Sequence, residues 1–253
     1  MSKTKTLRVV AAEDGYADDA MSLALSYVRA IQKSLNSAGE IILLTHTKGE
    51  LSGTTLAGMV GVQAAKALHS GKSVNTPVGP MRHATLRTIG YSVRNAIVVA
   101  FYANEKMLDE LDSKPGVAGI VTVPHLKGDA DGWARRWDAT VHGKKKDAPK
   151  PLISDPVIAS AMKTLTVLSN TSYGSLNARD TQHADEIFRI LRNKGHDLNP
   201  GQIKDWAIRA GWHPGAADGA AKVARKIGSL KAKPSVSKFY NPDARYDRWK
   251  ADD

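Results

Sequence analysis

Residues 95–123 read NAIVVAFYANEKMLDELDSKPGVAGIVTV. Two continuously apolar runs, Asn95 to Tyr102 and Val117 to Val123, flank a short helical stretch expected over Asn104 to Leu111. A strand with one solvated face alternates apolar and polar residues, whereas these runs do not alternate, so both of their faces are expected to be covered. Short, fully apolar strands separated by a helix belong to a parallel sheet with helices on both sides.

Upstream residues repeat the unit. Leu7 to Ala12 (LRVVAA) is expected to be a strand that leaves the sheet through Glu13-Asp14-Gly15. A helix follows, with Met21, Ala24, Leu25, Val28, Ile31 and Leu35 at helical spacing and Asp18 and Asp19 placed to cap its start. Ile41 to Thr45 (IILLT) is the second expected strand, and Thr54 to His69 the second helix, with Gly58 and Gly61 inside it. Pro77, Gly79, Pro80 and Gly90 punctuate the stretch 72–92, the least readable part of the chain, where Ser73 to Val78 could form a third strand. The fold class expected is α/β, with a Rossmann-like, mostly parallel sheet over residues 1–142, followed by a small all-helical domain.

A linker is expected over residues 143–152, where Gly143 to Pro151 reads GKKKDAPKP. The helical domain is placed at residues 153–230, with segments near Pro156 to Leu168, Ala178 to Lys194, Pro200 to Ala210 and Pro214 to Ile227. Its last two helices are the best punctuated. Asn199 caps, Pro200 takes the first helical position, Gly211 ends the helix and Pro214 starts the next, which gives a helix-turn-helix-like pair. Residues 231–253 form a basic tail. Trp133 and Trp137, like Trp206 and Trp212, are assigned to packing.

Composition narrows the function classes. The 253 residues carry 36 Lys and Arg against 25 Asp and Glu, a formal charge of +11 that favours an anionic partner such as nucleic acid. With no cysteine, disulfides, thiol nucleophiles and zinc-thiolate sites are excluded together. No apolar run approaches the roughly 18 residues of a membrane helix, so no membrane association and a cytoplasmic location are expected. The eight histidines show no ligand spacing, and neither a metal nor a cofactor is expected.

Charge is concentrated at the C-terminal end, where Lys222 to Lys250 hold nine basic residues against two acidic ones. Lys222, Arg225 and Lys226 share one face of the last expected helix, and Lys231, Lys233, Lys238, Arg245 and Arg248 follow, with Tyr240, Tyr246 and Trp249 interleaved. These basic residues are the expected nucleic-acid contacts, to phosphates more than to base edges. In the first domain, chemistry is sought in the loops after the strands. Lys48, Ser52, Gly53 and Thr54 run into a helix start that could hold a phosphate, although Ser, Thr and Gly are also what an ordinary cap requires. Glu13 and Asp14 could act as acid and base or simply form a turn. Arg82, His83, Arg87 and Arg94 form a second basic cluster, with Arg87 near His83 if 82–89 is helical.

The segments SDPVIASAMKTLTVLSNTSYGSLNARD, from Ser154, and ILRNKGHDLNPGQIKDWAIRAGWHPGAA, from Ile190, resemble an uncharacterised group of actinobacterial and actinophage proteins, as does the block Ala96 to Pro124. The resemblance implies a Rossmann-like domain joined to a helical one and an actinobacterial or phage source. It implies no activity, and catalytic residues stay unknown. The favoured expectation is a non-enzymatic nucleic-acid-associated protein. A nucleotide-binding or nucleotide-processing α/β domain and a structural or assembly module with a protein or oligomeric partner stand beside it.

Overall fold

The computed structural model describes residues 6–37, 39–145 and 150–252 and divides the chain into two compact units, Met1–Ala148 and Pro149–Asp253. Residues 146–149 of the expected linker lie outside the described residues.

The first unit runs β1 (Leu7–Val10), α1 (Ala20–Leu35), β2 (Glu40–Thr45), α2 (Glu50–Gly53), α3 (Leu56–Val60), α4 (Val62–His69), β3 (Val74–Thr76), β4 (Gly79–Thr85), β5 (Ala96–Ala103), α5 (Glu105–Asp112), β6 (Val117–Pro124), α6 (Asp131–Trp137) and β7 (Thr140–Val141). It is an α/β unit with a seven-stranded sheet in the order β3-β4-β2-β5-β6-β1-β7, parallel except where β3 pairs with β4. Every residue of β5 and β6 is buried, as their unbroken apolar sequence requires. Alternate side chains divide between two cores. Ile97, Val99 and Phe101 lie with α1 and Leu51, Leu56 and Leu68 on one face, and Val98 and Ala100 lie with Met107, Leu111 and Trp133 on the other.

Three local expectations are corrected. The helix expected over Thr54 to His69 is broken into α3 and α4, and α2 precedes them, because Gly61 takes φ +92, which residues bearing a β-carbon rarely adopt. The region 82–89 is not helical. Gly79–Thr85 is a strand in register with β2, which turns Arg82 toward Glu40 and His83 toward Thr45, so the expected stacking of His83 with Arg87 is not formed. Asp19 occupies the N-cap of α1, but its side chain makes no capping bond. Its carbonyl instead accepts from the Leu23 N–H and the Ser22 hydroxyl, at 2.9 and 2.8 Å.

The second unit is helical: α7 (Pro156–Leu168), α8 (Ala178–Asn193), α9 (Pro200–Arg209), α10 (Pro214–Gly228) and α11 (Pro242–Ala251). Asp155, Asn177 and Asn199 each accept backbone N–H bonds at a helix start, and Pro156, Pro200 and Pro214 lie in first turns, which accounts for how sharply these helices begin. α10 packs on α8 and α9, and α11 on α7 and α8. The basic tail therefore contains a docked helix. Trp249 is 2% exposed, and its Nε1 donates to Thr164 Oγ1 at 2.9 Å. Among the described residues no helix is long and apolar enough to cross a membrane.

Candidate nucleic-acid interface

α9 and α10 meet across a tight turn that residues 210–213 make for local reasons. Asn199 Oδ1 accepts from Gln202 N at 3.1 Å, Gly211 takes φ +94 beyond the end of α9, and His213 Nδ1 accepts from Gly215 N at 3.1 Å to cap α10. Ala216, Ala217, Ala220, Ala221, Ala224 and Ile227 form the buried side of α10. The small alanines let it lie close to its neighbours, and a Lys204–Asp218 ion pair at 3.1 Å ties it to α9.

The outward side of α10 changes character along its length. At 3.6 residues per turn, Gly215 and Gly219 lie on the same stripe as Lys222 and Lys226. The first two are covered. A β-carbon on Gly215 would stand 1.9 Å from the carbonyl oxygen of Gly174, and one on Gly219 would meet Leu176 at 3.2 Å. The loop between α7 and α8 is held there by a His213 N–H bond to Thr171 O at 2.8 Å. Lys222, Arg225 and Lys226, on the last turns, are exposed, and no carboxylate among the described residues pairs with them.

The remaining expected contacts divide. Lys231, Lys233, Lys238 and Arg248 are exposed. Arg245 is committed elsewhere, donating to Glu186 at 3.2 Å and lying 5.8 Å from the Trp249 ring. Tyr246 bonds His196 Nε2 at 3.0 Å, and the other ring nitrogen of His196 contacts Asp155 at 2.5 Å. Tyr246 and Trp249 thus fasten the tail, and Tyr240 stays 84% exposed. Of the tryptophans assigned to packing, Trp133 and Trp212 are buried and Trp137 is half-buried under the Arg8 guanidinium at 3.9 Å, whereas Trp206 is half-buried at the surface.

In the α/β unit, the loop after β2 is organised by its own side chains. Glu50 Oε2 accepts from His46 N at 2.9 Å, Ser52 Oγ donates to Gly49 O at 3.3 Å, and Thr54 Oγ1 donates to Glu50 O at 2.6 Å. Ser52 and Gly53 fall inside the four-residue α2 and do not precede a long helix. Lys48 is exposed, with His69 Nδ1 at 3.3 Å from its carbonyl. Glu13 pairs with Lys127 at 3.1 Å and Asp14 accepts from Tyr16 N at 2.9 Å, the contacts of a turn.

The carboxyl edge at the centre of the sheet is occupied by a residue that sequence reasoning passed over. Tyr102, at the end of β5, takes φ +54 where the pairing with β6 shifts register between Phe101 and Ala103. A left-handed conformation is costly for an aromatic residue, about 1–3 kcal/mol, and persists only where surroundings hold it. Here they do. Tyr102 OH bonds Thr55 Oγ1 at 2.9 Å, its carbonyl lies 3.0 Å from His46 Nε2, and its ring lies against the Gly15 backbone, where a β-carbon would approach to 2.4 Å. Tyr16 and His125, joined at 2.8 Å, stand 5.7 and 5.9 Å from that ring. This one residue, through its side chain and its carbonyl, thus joins the end of β5 to the segments that follow β1, β2 and β6.

His83 has a defined tautomer. Thr45 Oγ1 gives its proton to Thr47 O at 2.8 Å, so it accepts from His83 Nε2–H, also at 2.8 Å. Burial, then Lys48 and His69, push His83 down to about 4 from 6.5. The unfolded chain therefore binds this proton first. Stability from neutral His83 is fully present above about 6.5 and is lost as the pH falls toward about 4, by about 1–2 kcal/mol for a half-buried group. Urea denaturation read on β2 and β4 amide resonances should show that loss, and His83→Gln should flatten it. An unchanged pH profile in the variant would refute it.

Among the described residues, no group of three or more His, Asp and Glu could hold a metal ion. No curated protein and no solved structure matches the chain. Residues 154–250, which run from just before α7 to the penultimate residue of α11, match the family model described as a domain of unknown function, DUF1889.

Proposed function

We propose that the helical unit binds nucleic acid through its phosphates, with little reading of base sequence, and that the protein acts without catalysing a reaction. The observation that carries this is the exposed triplet Lys222, Arg225 and Lys226 on the last turns of α10, unpaired by any carboxylate among the described residues. A groove-reading second helix presents its N-terminal residues to base edges. In α10 those turns lie under Gly174 and Leu176, which favours backbone contact over readout. Lys231, Lys233, Lys238 and Arg248 extend the basic surface in sequence, and Arg245 leaves the set because Glu186 holds it.

The test is a salt titration of duplex binding. For wild type, log affinity should fall linearly with log salt. The variant Lys222→Ala, Arg225→Ala, Lys226→Ala should lower that slope by about 2.7, roughly 0.9 for each phosphate no longer neutralised. An unchanged slope, or no binding by wild type at low salt, would overturn the reading.

A second reading, a nucleotide site in the α/β unit, is favoured by the exposed Lys48, which stands beside β2 and β4 with the His69 and His83 rings near it. It treats the unit as Rossmann-like, with the phosphates beyond β2 near Lys48 because Tyr102 fills the centre of the edge. Thermal shift with nucleotides separates the two readings, since a ligand at 100 times its dissociation constant adds about 2.7 kcal/mol.

A further inference from the structure

We propose that a groove beside α9 is a stacking site for a base of single-stranded nucleic acid, an inference that rests on the nucleic-acid reading above. The groove has a volume of about 540 Å³, within the range of about 300–1,000 Å³ typical of ligand sites. Lys150, Leu152 and Ile153 line one part of it, and Trp206 and Arg209 of α9 another.

The residues of α9 explain why a tryptophan stands there. Ile203, Ala207 and Ile208 take the buried side of the helix, so Trp206 is turned away from it, with Arg209 one turn further on the same side. Trp137, the other half-buried tryptophan, has its ring under the Arg8 guanidinium. The Trp206 ring has no aromatic or cationic partner among the described residues, and its Nε1 has no hydrogen bond there. The open part of the indole is available for stacking contact.

The chemistry around it selects the occupant. Lys150 and Arg209 are exposed cations on the groove, and no carboxylate among the described residues lines it. A flat indole flanked by aliphatic walls and two cations suits an unstacked base whose neighbouring phosphates meet the cations. A duplex keeps its bases stacked and paired, so this site takes a single strand.

The test measures binding of the full chain to a labelled oligothymidylate and to an abasic strand of the same length, by fluorescence anisotropy. Trp206→Ala is expected to weaken the base-bearing strand by about 5- to 100-fold and to leave the abasic strand unchanged. Trp206→Phe should retain most of the affinity. In wild type the base-bearing strand should quench tryptophan fluorescence, and that quenching should vanish in Trp206→Phe, which keeps the test readable should the alanine variant fail to fold. Arg209→Ala should weaken both strands alike. Equal loss on the two strands in Trp206→Ala, or quenching that survives in Trp206→Phe, overturns the stacking site while the duplex salt slope still reports on Lys222, Arg225 and Lys226. Absence of duplex binding by wild type overturns the underlying reading itself.

Discussion

Arg136→Ala is expected to destabilise the α/β unit by about 3–5 kcal/mol, the usual cost of taking one partner from a buried ion pair. The Arg136 guanidinium is fully buried on α6 and reaches Asp109 and Glu105 of α5. Asp109 is 4% exposed, so without the guanidinium its carboxylate is left short of its cation in a poorly hydrated place. Glu105 has room beside Gly132, where a β-carbon would stand 3.2 Å from its Oε1, so the pairing also depends on that glycine. Thermal and urea denaturation measure the loss. Arg136→Met combined with Asp109→Leu should recover much of it, since apolar groups of similar volume replace a buried pair at little cost. A loss below about 1 kcal/mol for Arg136→Ala would mean that water screens the pair.

Gly215→Ala is expected to cost the helical unit about 2–3 kcal/mol, against the gain of about 1 kcal/mol that alanine brings to a helix. The sign turns on one contact. The new β-carbon would lie 1.9 Å from a backbone oxygen, that of Gly174, which has no rotamer through which to yield. Either the loop between α7 and α8 lifts away, or the first turn of α10 shifts. Denaturation followed by Trp212 fluorescence reads the result, because Trp212 Nε1 bonds Thr166 Oγ1 at 3.0 Å beside that turn. A stabilised variant would show that the loop is not seated there. Since Lys222, Arg225 and Lys226 lie further along the helix, the salt slope of duplex binding should survive the change.

The two units differ in how far their sequences can be read. In the helical unit, Asn199, Pro200, Gly211 and Pro214 mark helix ends through bonds within a few residues, and the ends of α9 and α10 fall beside them. The α/β unit is legible where its strands are buried on both faces, as β5 and β6 are, because no polar residue interrupts them. It is misread at β4. Gly79–Thr85 carries Pro80, Arg82 and His83, which local pattern assigns to a turn and a helix, whereas pairing with β2 and the ion pair of Arg82 with Glu40 make it a strand.

The basic triplet of α10 was also visible from spacing alone, since an amphipathic helix places its third and fourth neighbours together whatever surrounds it. Its context was not. That Arg245 is spent on Glu186, that Trp249 is buried and that Tyr246 reaches His196 all join residues more than 45 positions apart. The same holds for Tyr102, whose left-handed backbone answers to Gly15, His46 and Thr55 in other loops.

The doubly buried strands β5 and β6, the boundaries of α7 to α10 and the positive face of α10 are thus properties of the sequence by itself, because each depends on neighbours along the chain. Which part of that face stays open, which cations keep their charge free and what fills the carboxyl edge of the sheet were decided by tertiary structure. Those outcomes depend on close approach between distant segments, and an approach such as that of Gly174 to Gly215 leaves no periodic trace in the sequence of either.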